Sequence, residues 1–292
     1  MANLRDLRQR ITSVGNIQKI TAAMEMVATT KLRRFQGRAV AAKPYAGGIE
    51  ELVRRLSGAI AADPALAGDS AALFQSANPD APVGLLFIGS DRGLCGAYNS
   101  NVQRALDAEV AKVRAGGGEV LLFVFGRKAA RHATRMKYPL AAWYEDRPLE
   151  KVGFADAAAV TADLVHAQRT GEVSSVRLCF TRFLSMARYV PNVDDFLPIA
   201  PPAAGGQSED VILEPDAREV LGRLIPRYLE TAVFHALLES ITSEYASRRF
   251  AMKNATDAAS DMKHEITRSY NKARQQKITS EILEIVAGAE AL

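Results

Sequence analysis

Apolar residues recur in steps of three and four at both ends of this chain. Near the N-terminus they are Leu4, Leu7, Ile11, Val14, Ile17, Ile20, Met24 and Val27, the spacing of one face of a long amphipathic helix. The repeated three-residue steps from Ile11 to Ile20 predict a stammer, which would overwind a coiled coil locally. Pro44, Gly47 and Gly48 interrupt the pattern, so a bend or break is expected there before the helix resumes to about Ser57. At the other end neither glycine nor proline occurs between Arg227 and Ala287, and Pro226 stands where a first-turn proline is tolerated. The apolar positions in that stretch are Met252, Ala255, Ala259, Met262, Ile266, Tyr270, Ala273, Ile278, Ile282, Ile285, Ala289 and Leu292. They form a coiled-coil seam with a break near 270–278. In the last turns Ile282, Leu283, Ile285 and Val286 widen the stripe, which suits a helix end buried in another molecule's apolar surface. Matching seams predict an antiparallel intramolecular coiled coil built from residues 1–60 and 211–292. A compact helical bundle is the blander reading of the same periodicity.

Between the arms the pattern changes. Apolar runs at 83–89, 120–126 and 176–181 alternate with helical stretches near 100–115, 127–136 and 155–169, the signature of a small, mostly parallel α/β sheet. Segments around 62–80 and 201–210 carry the Pro, Gly, Ser and Asp of linkers. The expected fold is therefore a long antiparallel coiled coil of terminal helices with a Rossmann-like α/β domain, residues 75–205, inserted between them.

Composition narrows the picture. Hydrophobic residues make up 48% of the 292 residues, which argues against wholesale disorder. The longest apolar runs fall short of the roughly 18 residues a membrane-spanning helix requires. The first residues enter the amphipathic pattern directly, without the apolar core of a secretory signal, so a cytoplasmic address is expected. Cys95 and Cys179 lie far apart in no metal-like or redox-like spacing. The formal charge of +4 is unevenly placed: the first 57 residues carry eleven Lys or Arg against four acids, whereas the last 67 are balanced at nine and nine.

Candidate chemistry is sparse. The run SDRGLCGAYNSNV at 90–102 follows a predicted strand and opens a helix, a place where phosphates bind. Its glycines fit neither the dinucleotide fingerprint nor the P-loop, so a structural turn is the stronger reading, with Asp91 and Arg92 as a local pair and Asn99 or Ser100 as a helix cap. The four histidines stand apart in helical stretches, and the acids Asp194 and Asp195 are adjacent in a loop expected after Pro191. Neither pattern makes a catalytic pair. No catalytic residue, cofactor site or metal site is expected. Lys31, Arg33, Arg34 and Arg38 form the sharpest cationic cluster, either a solvated face or a stripe for an acidic partner. Nucleic acid fits less well, because stacking aromatics are not interleaved with these cations.

Three segments together resemble the gamma subunits of F-type ATP synthases: NIQKITAAMEMVATTKLRR at 16–34, SDRGLCGAYNSN in the insert, and MKNATDAASDMKHEITRSYNKARQQKITSEILEIVAGA at 252–289. The resemblance spans nearly the whole chain. It implies a non-catalytic rotor shaft at the cytoplasmic face of the bacterial inner membrane. The implied partners are the alpha and beta subunits, the epsilon subunit, the c-ring and, where the complex carries one, an inhibitory regulator. It places Met24, Lys31, Arg33 and Arg34 near acidic loops of beta, and Arg274, Gln275 and Thr279 near its catch loops. Ile282 and Ile285 would turn in an apolar collar, and Glu214 would stand near the c-ring. Ala97 and Tyr98 depart from residues common in the family. A Rossmann-type nucleotide-binding enzyme with helical dimerisation arms and a coiled-coil adaptor are the competing readings.

Overall fold

The computed structural model describes residues 4–62, 70–76, 78–199 and 217–290. Of the linkers expected around 62–80 and 201–210, residues 63–69, residue 77 and all of 201–210 lie outside these residues. In chain order the elements are α1 (Leu4–Ala62), β1 (Val83–Ile88), α2 (Tyr98–Ala115), β2 (Val120–Phe125), α3 (Arg127–Met136), β3 (Leu140–Trp143), a 3-10 turn (Leu149–Lys151), α4 (Phe154–Arg169), β4 (Ser175–Ser185), β5 (Arg188–Leu197) and α5 (Ala217–Glu290). Contacts divide the chain into two compact units, residues 31–247 and residues 1–30 with 248–292.

In the 31–247 unit the strands form one sheet of order β3-β2-β1-β4-β5. β1 runs parallel to β2 and β4, β2 parallel to β3, and β4 antiparallel to β5. The apolar runs of β1 and β2 are buried almost throughout, as parallel strands covered on both faces must be. On one face Leu85, Phe87, Leu122 and Val124 pack with Val102, Leu106, Ala129 and Ala133 of α2 and α3. The inner part of α5 is pinned to β4 and the β1–α2 loop by hydroxyls. Ser243 donates to the Thr181 carbonyl (3.2 Å), the Thr181 amide donates to Ser240 (3.4 Å), and Ser247 donates to the Cys95 carbonyl (2.7 Å).

Several elements differ from the sequence expectation. α1 runs through Pro44 without a break. Pro44, Gly47 and Gly48 are all exposed, so the carbonyl that loses its amide partner can turn to water, while buried Phe35, Ile49 and Val53 hold the helix on both sides. α5 begins at Ala217 and carries Pro226 in its interior. Asp194 and Asp195 lie in strand β5, not in a loop: Arg182 pairs with Asp194 at 2.7 Å and Arg177 with Asp195 at 3.0 Å. Cross-strand ion pairing overrides the poor strand propensity of two adjacent acids.

In the other unit, α1 and α5 form an antiparallel pair. Thr256 donates to Thr21 across the interface at 2.8 Å, and a side chain at Gly15 would meet Lys263 at 4.0 Å. Six residues back along α1 correspond to seven forward along α5. The buried seam of α1 takes Leu4, Leu7, Ile11, Val14, Gln18, Thr21, Glu25 and Ala28, all buried or half-buried. These positions alternate threes and fours without interruption, so the predicted stammer is absent. Ile17, Ile20 and Val27 are instead 53%, 60% and 54% exposed. Likewise Met262 is exposed, and the α5 seam runs through Met252, Thr256, Ala259, Ile266, Tyr270 and Ala273.

Candidate functional site

The loop from Ser90 to Ala97 crowns the C-terminal end of β1, where an open α/β sheet usually presents its ligand crevice. Here the protein fills that position with its own groups. The Lys128 amide at the start of α3 donates to the Ser90 carbonyl at 2.9 Å. The Asp91 carboxylate accepts from the amides of Arg127 (3.3 Å) and Leu149 (3.0 Å), so Asp91 ties down two backbone segments instead of pairing with Arg92. Asn99 does not cap α2; its side chain bonds Ser90 through both the amide nitrogen (2.7 Å to Oγ) and the oxygen (3.2 Å from the Ser90 amide). Gly126 adopts φ +91°, and a Cβ there would lie 2.3 Å from the Gly89 carbonyl oxygen. Tyr98 is buried. Burial first, then the nearby Glu244 carboxylate, push its hydroxyl far above the ordinary range. The arrangement is a lock between sheet and helix, in which the amides of Ser90, Arg127, Lys128 and Leu149 all have acceptors within the chain.

The cationic cluster of α1 splits in two. Lys31 forms an ion pair with Glu150 and lies 5.5 Å from the centre of the Tyr245 ring. Tyr245 donates to the same carboxylate at 2.8 Å and stacks on Phe35 at 5.5 Å. Burial alone would raise the Glu150 carboxyl, but hydrogen bonds from Lys31 and Tyr245, with the charges of Lys31 and Arg92, hold it below its usual range. Arg38 donates to the Val152 carbonyl at 2.9 Å. Arg33 and Arg34 remain exposed, with Arg34 lying against the Phe35 ring at 5.7 Å. Glu150 and Tyr245, which tie up Lys31, carry no sequence signal that would have linked them to it.

Met24 is half-buried in the coiled coil. Continuing the Thr21–Thr256 and Gly15–Lys263 register toward Leu4, the first described residue of α1, brings α5 to about residue 274. Beyond that point α5 has no α1 residue opposite it among the described residues. Arg274, Gln275 and Thr279 are exposed there, and the Thr279 hydroxyl turns back to the Gln275 carbonyl at 3.0 Å. Ile278, Ile282, Leu283, Ile285 and Val286 are 48%, 54%, 62%, 71% and 48% exposed. The apolar break seen near 270–278 in the sequence is thus the point where the pairing runs out. Glu214 and Leu292 lie outside the described residues. Among those residues no helix is long and apolar enough to cross a membrane.

Comparison with known proteins agrees with this organisation. The family model described as ATP synthase matches residues 3–292. The ATP synthase gamma chain of Moorella thermoacetica is 40% identical over 292 residues, covering 100% of both chains. That of Erythrobacter litoralis is 36% identical over 296 residues with the same coverage. Among solved structures, a chain of the Euglena gracilis mitochondrial ATP synthase (OSCP, F1 and c-ring) superposes with TM-score 0.64 at 20% identity, covering 99% of this chain and 94% of that one. A chain of the Tetrahymena thermophila mitochondrial ATP synthase central stalk and c-ring gives 0.56 at 22% identity, covering 81% and 99%.

Proposed function

The chain belongs to the ATP synthase gamma-chain family, and from that premise we propose that it is the central rotor shaft of an F-type ATP synthase. It couples rotation of the membrane c-ring to conformational change at catalytic sites carried by the alpha and beta subunits. The chain performs no bond chemistry itself. It is a peripheral subunit, held at the cytoplasmic face of the membrane through the c-ring and the epsilon subunit.

The observation that carries this reading is the end of the helical pairing. A helix whose last four turns or so present five large aliphatic side chains about half exposed or more, with no partner helix alongside among the described residues, requires a sheath from other chains. An alpha/beta ring around it supplies that sheath. As an asymmetric shaft turns, it presents different faces to successive sites, and differential contact free energy is what lets a partner shift conformational populations. Arg33, Arg34, Arg274, Gln275 and Thr279 supply polar and cationic contacts to beta, and Met24 an apolar one. Ile282 and Ile285 run in an apolar collar, and Glu214 meets the c-ring. Lys31 acts differently, fixing α1 to the α/β domain through Glu150. The test is reconstitution with alpha and beta subunits: ATP hydrolysis by the assembled ring should depend on this chain, and undiminished cooperative hydrolysis without it would defeat the proposal.

A further inference from the structure

Helix α3 and strand β3 enclose a cleft of 600 Å³ lined by Arg127, Arg131, Arg135, Trp143 and Glu145 among others. The three arginines follow one another at four-residue intervals and so share one face of α3. Like charges at that spacing repel, which costs the helix stability unless something opposes them. Little among the described residues does. No salt bridge among them reaches Arg127 or Arg131, and Arg135 meets His132 Nδ1 at 2.9 Å, while the other nitrogen of that ring lies 2.7 Å from the Asp107 carboxylate. Glu145 is the one acid in the lining.

The strand beside this face is also unfinished. β3 ends the sheet, and among the described residues no strand pairs with its outer edge. Leu140 and Trp143 are 40% and 42% exposed, and the strand sequence LAAW carries neither a charge nor a proline. Sheet edges are usually blunted by such residues, because a bare edge invites another strand.

We propose that the β3 edge and the arginine face of α3 together receive an extended acidic segment of a partner protein, which adds as a strand while its carboxylates meet Arg127, Arg131 and Arg135. The spacings agree. α3 is the crossover helix between the parallel strands β2 and β3 and lies roughly along their direction. Four helical residues advance about 6 Å, and two strand residues about 6.6 Å. A segment with an acid at every second position would therefore match the arginines one for one on the face of the sheet where Trp143 also lies, with its intervening side chains on the opposite face. A peptide satisfies both halves of the site. Nucleic acid would satisfy the arginines but has no amide to pair with the strand edge.

Trp143 is the chain's single tryptophan, so its emission reads this site in the intact protein. The full chain is titrated with a blocked eight-residue peptide alternating Glu and Val, its Lys–Val counterpart, the Glu–Val peptide with alternate amides N-methylated, and oligothymidylate. The expected result is a saturable shift in Trp143 emission with the Glu–Val peptide alone, weakened by salt and at least tenfold weaker in the Arg127→Glu/Arg131→Glu variant. Both arginines are exposed, so the variant should keep its circular dichroism spectrum. The methylated peptide tests strand addition without altering the protein. No response to Glu–Val, an equal response to the methylated peptide, or a stronger response to oligothymidylate overturns the proposal. The titration needs no alpha or beta chain, so its outcome is independent of the rotor reading.

Discussion

Truncating the chain after Ala273 removes every α5 residue that the helical register leaves without an α1 partner. The structure sets the expected cost. Ile278, Ile282, Leu283, Ile285 and Val286 keep from 48% to 71% of their surface exposed, and what they lose is mostly to their own helix. At about 25 cal/mol per Å² of buried apolar area, contacts of that kind add little to tertiary stability, so the truncation should cost the isolated chain less than about 1 kcal/mol. For a chain of this size that is a melting shift of no more than roughly 4 °C. The control lies in the paired region. Met252 is 5% exposed, and Met252→Ala should cost about 2–5 kcal/mol through the cavity it leaves. Thermal melts followed by circular dichroism compare the two, and assembly with alpha and beta subunits is measured in parallel. The truncated chain should keep its melting temperature yet assemble less well. A truncation that destabilises the isolated chain as much as Met252→Ala would show that the C-terminal turns are sheltered within the chain, refuting the argument.

Other perturbations follow from the same geometry. Because Arg33 and Arg34 are exposed, Arg33→Glu with Arg34→Glu should change stability by no more than about 0.5 kcal/mol while impairing coupling; unaltered ATP-driven proton pumping in reconstituted vesicles would contradict their role. Gly126→Ala places a Cβ 2.3 Å from the Gly89 carbonyl oxygen at φ +91° and should cost at least about 2 kcal/mol, read as a fall in urea midpoint. Glu239 lies in a cleft between α5 and the β4–β5 edge. Burial, aided by Asp194 and opposed by Arg182, Lys43 and the Phe183 amide, raises its carboxyl from 4.5 to about 7. The folded state then holds a proton that the unfolded chain releases between those values. Wild type should lose stability relative to Glu239→Gln as pH rises through that window, by on the order of 2 kcal/mol, and level off above it; a gap independent of pH would show that the carboxyl titrates normally.

How legible this molecule was depended on how one-sided each element is. β1, β2 and the helices α2 to α4 were readable because apolar runs and punctuating glycines mark them plainly. The coiled coil was readable as a coil but not in register. Ile17 and Ile20 look like seam residues, yet Gln18, Thr21 and Glu25 occupy the interface, because hydrophobicity alone cannot separate a stripe facing the partner helix from one facing outward. An unbroken alternation of threes and fours from Leu4 to Ala28 was the available signal. The inner part of α5 hid itself in the opposite way. Ser240, Thr242, Ser243, Glu244 and Ser247 are all buried; Ser240, Ser243 and Ser247 bond Thr181 and Cys95, partners that no local pattern announces, while Thr242 turns back to the Leu238 carbonyl of its own helix. β5 was obscured by its two adjacent acids, whose arginine partners sit on β4. Of the proposed contact residues, Arg33, Arg34, Arg274 and the apolar tip stand exposed. Lys31 does not, since its partners Glu150 and Tyr245 lie more than 100 positions away along the chain.

The most direct measurement is rotation itself. Cys95 and Cys179 are both buried, so a single thiol introduced by Leu184→Cys, at a position 51% exposed on β4, gives a unique attachment point for a bead. With an alpha/beta ring fixed to glass around this chain, ATP should drive the bead in one direction for as long as hydrolysis continues. Sustained hydrolysis with a stationary bead would contradict the account.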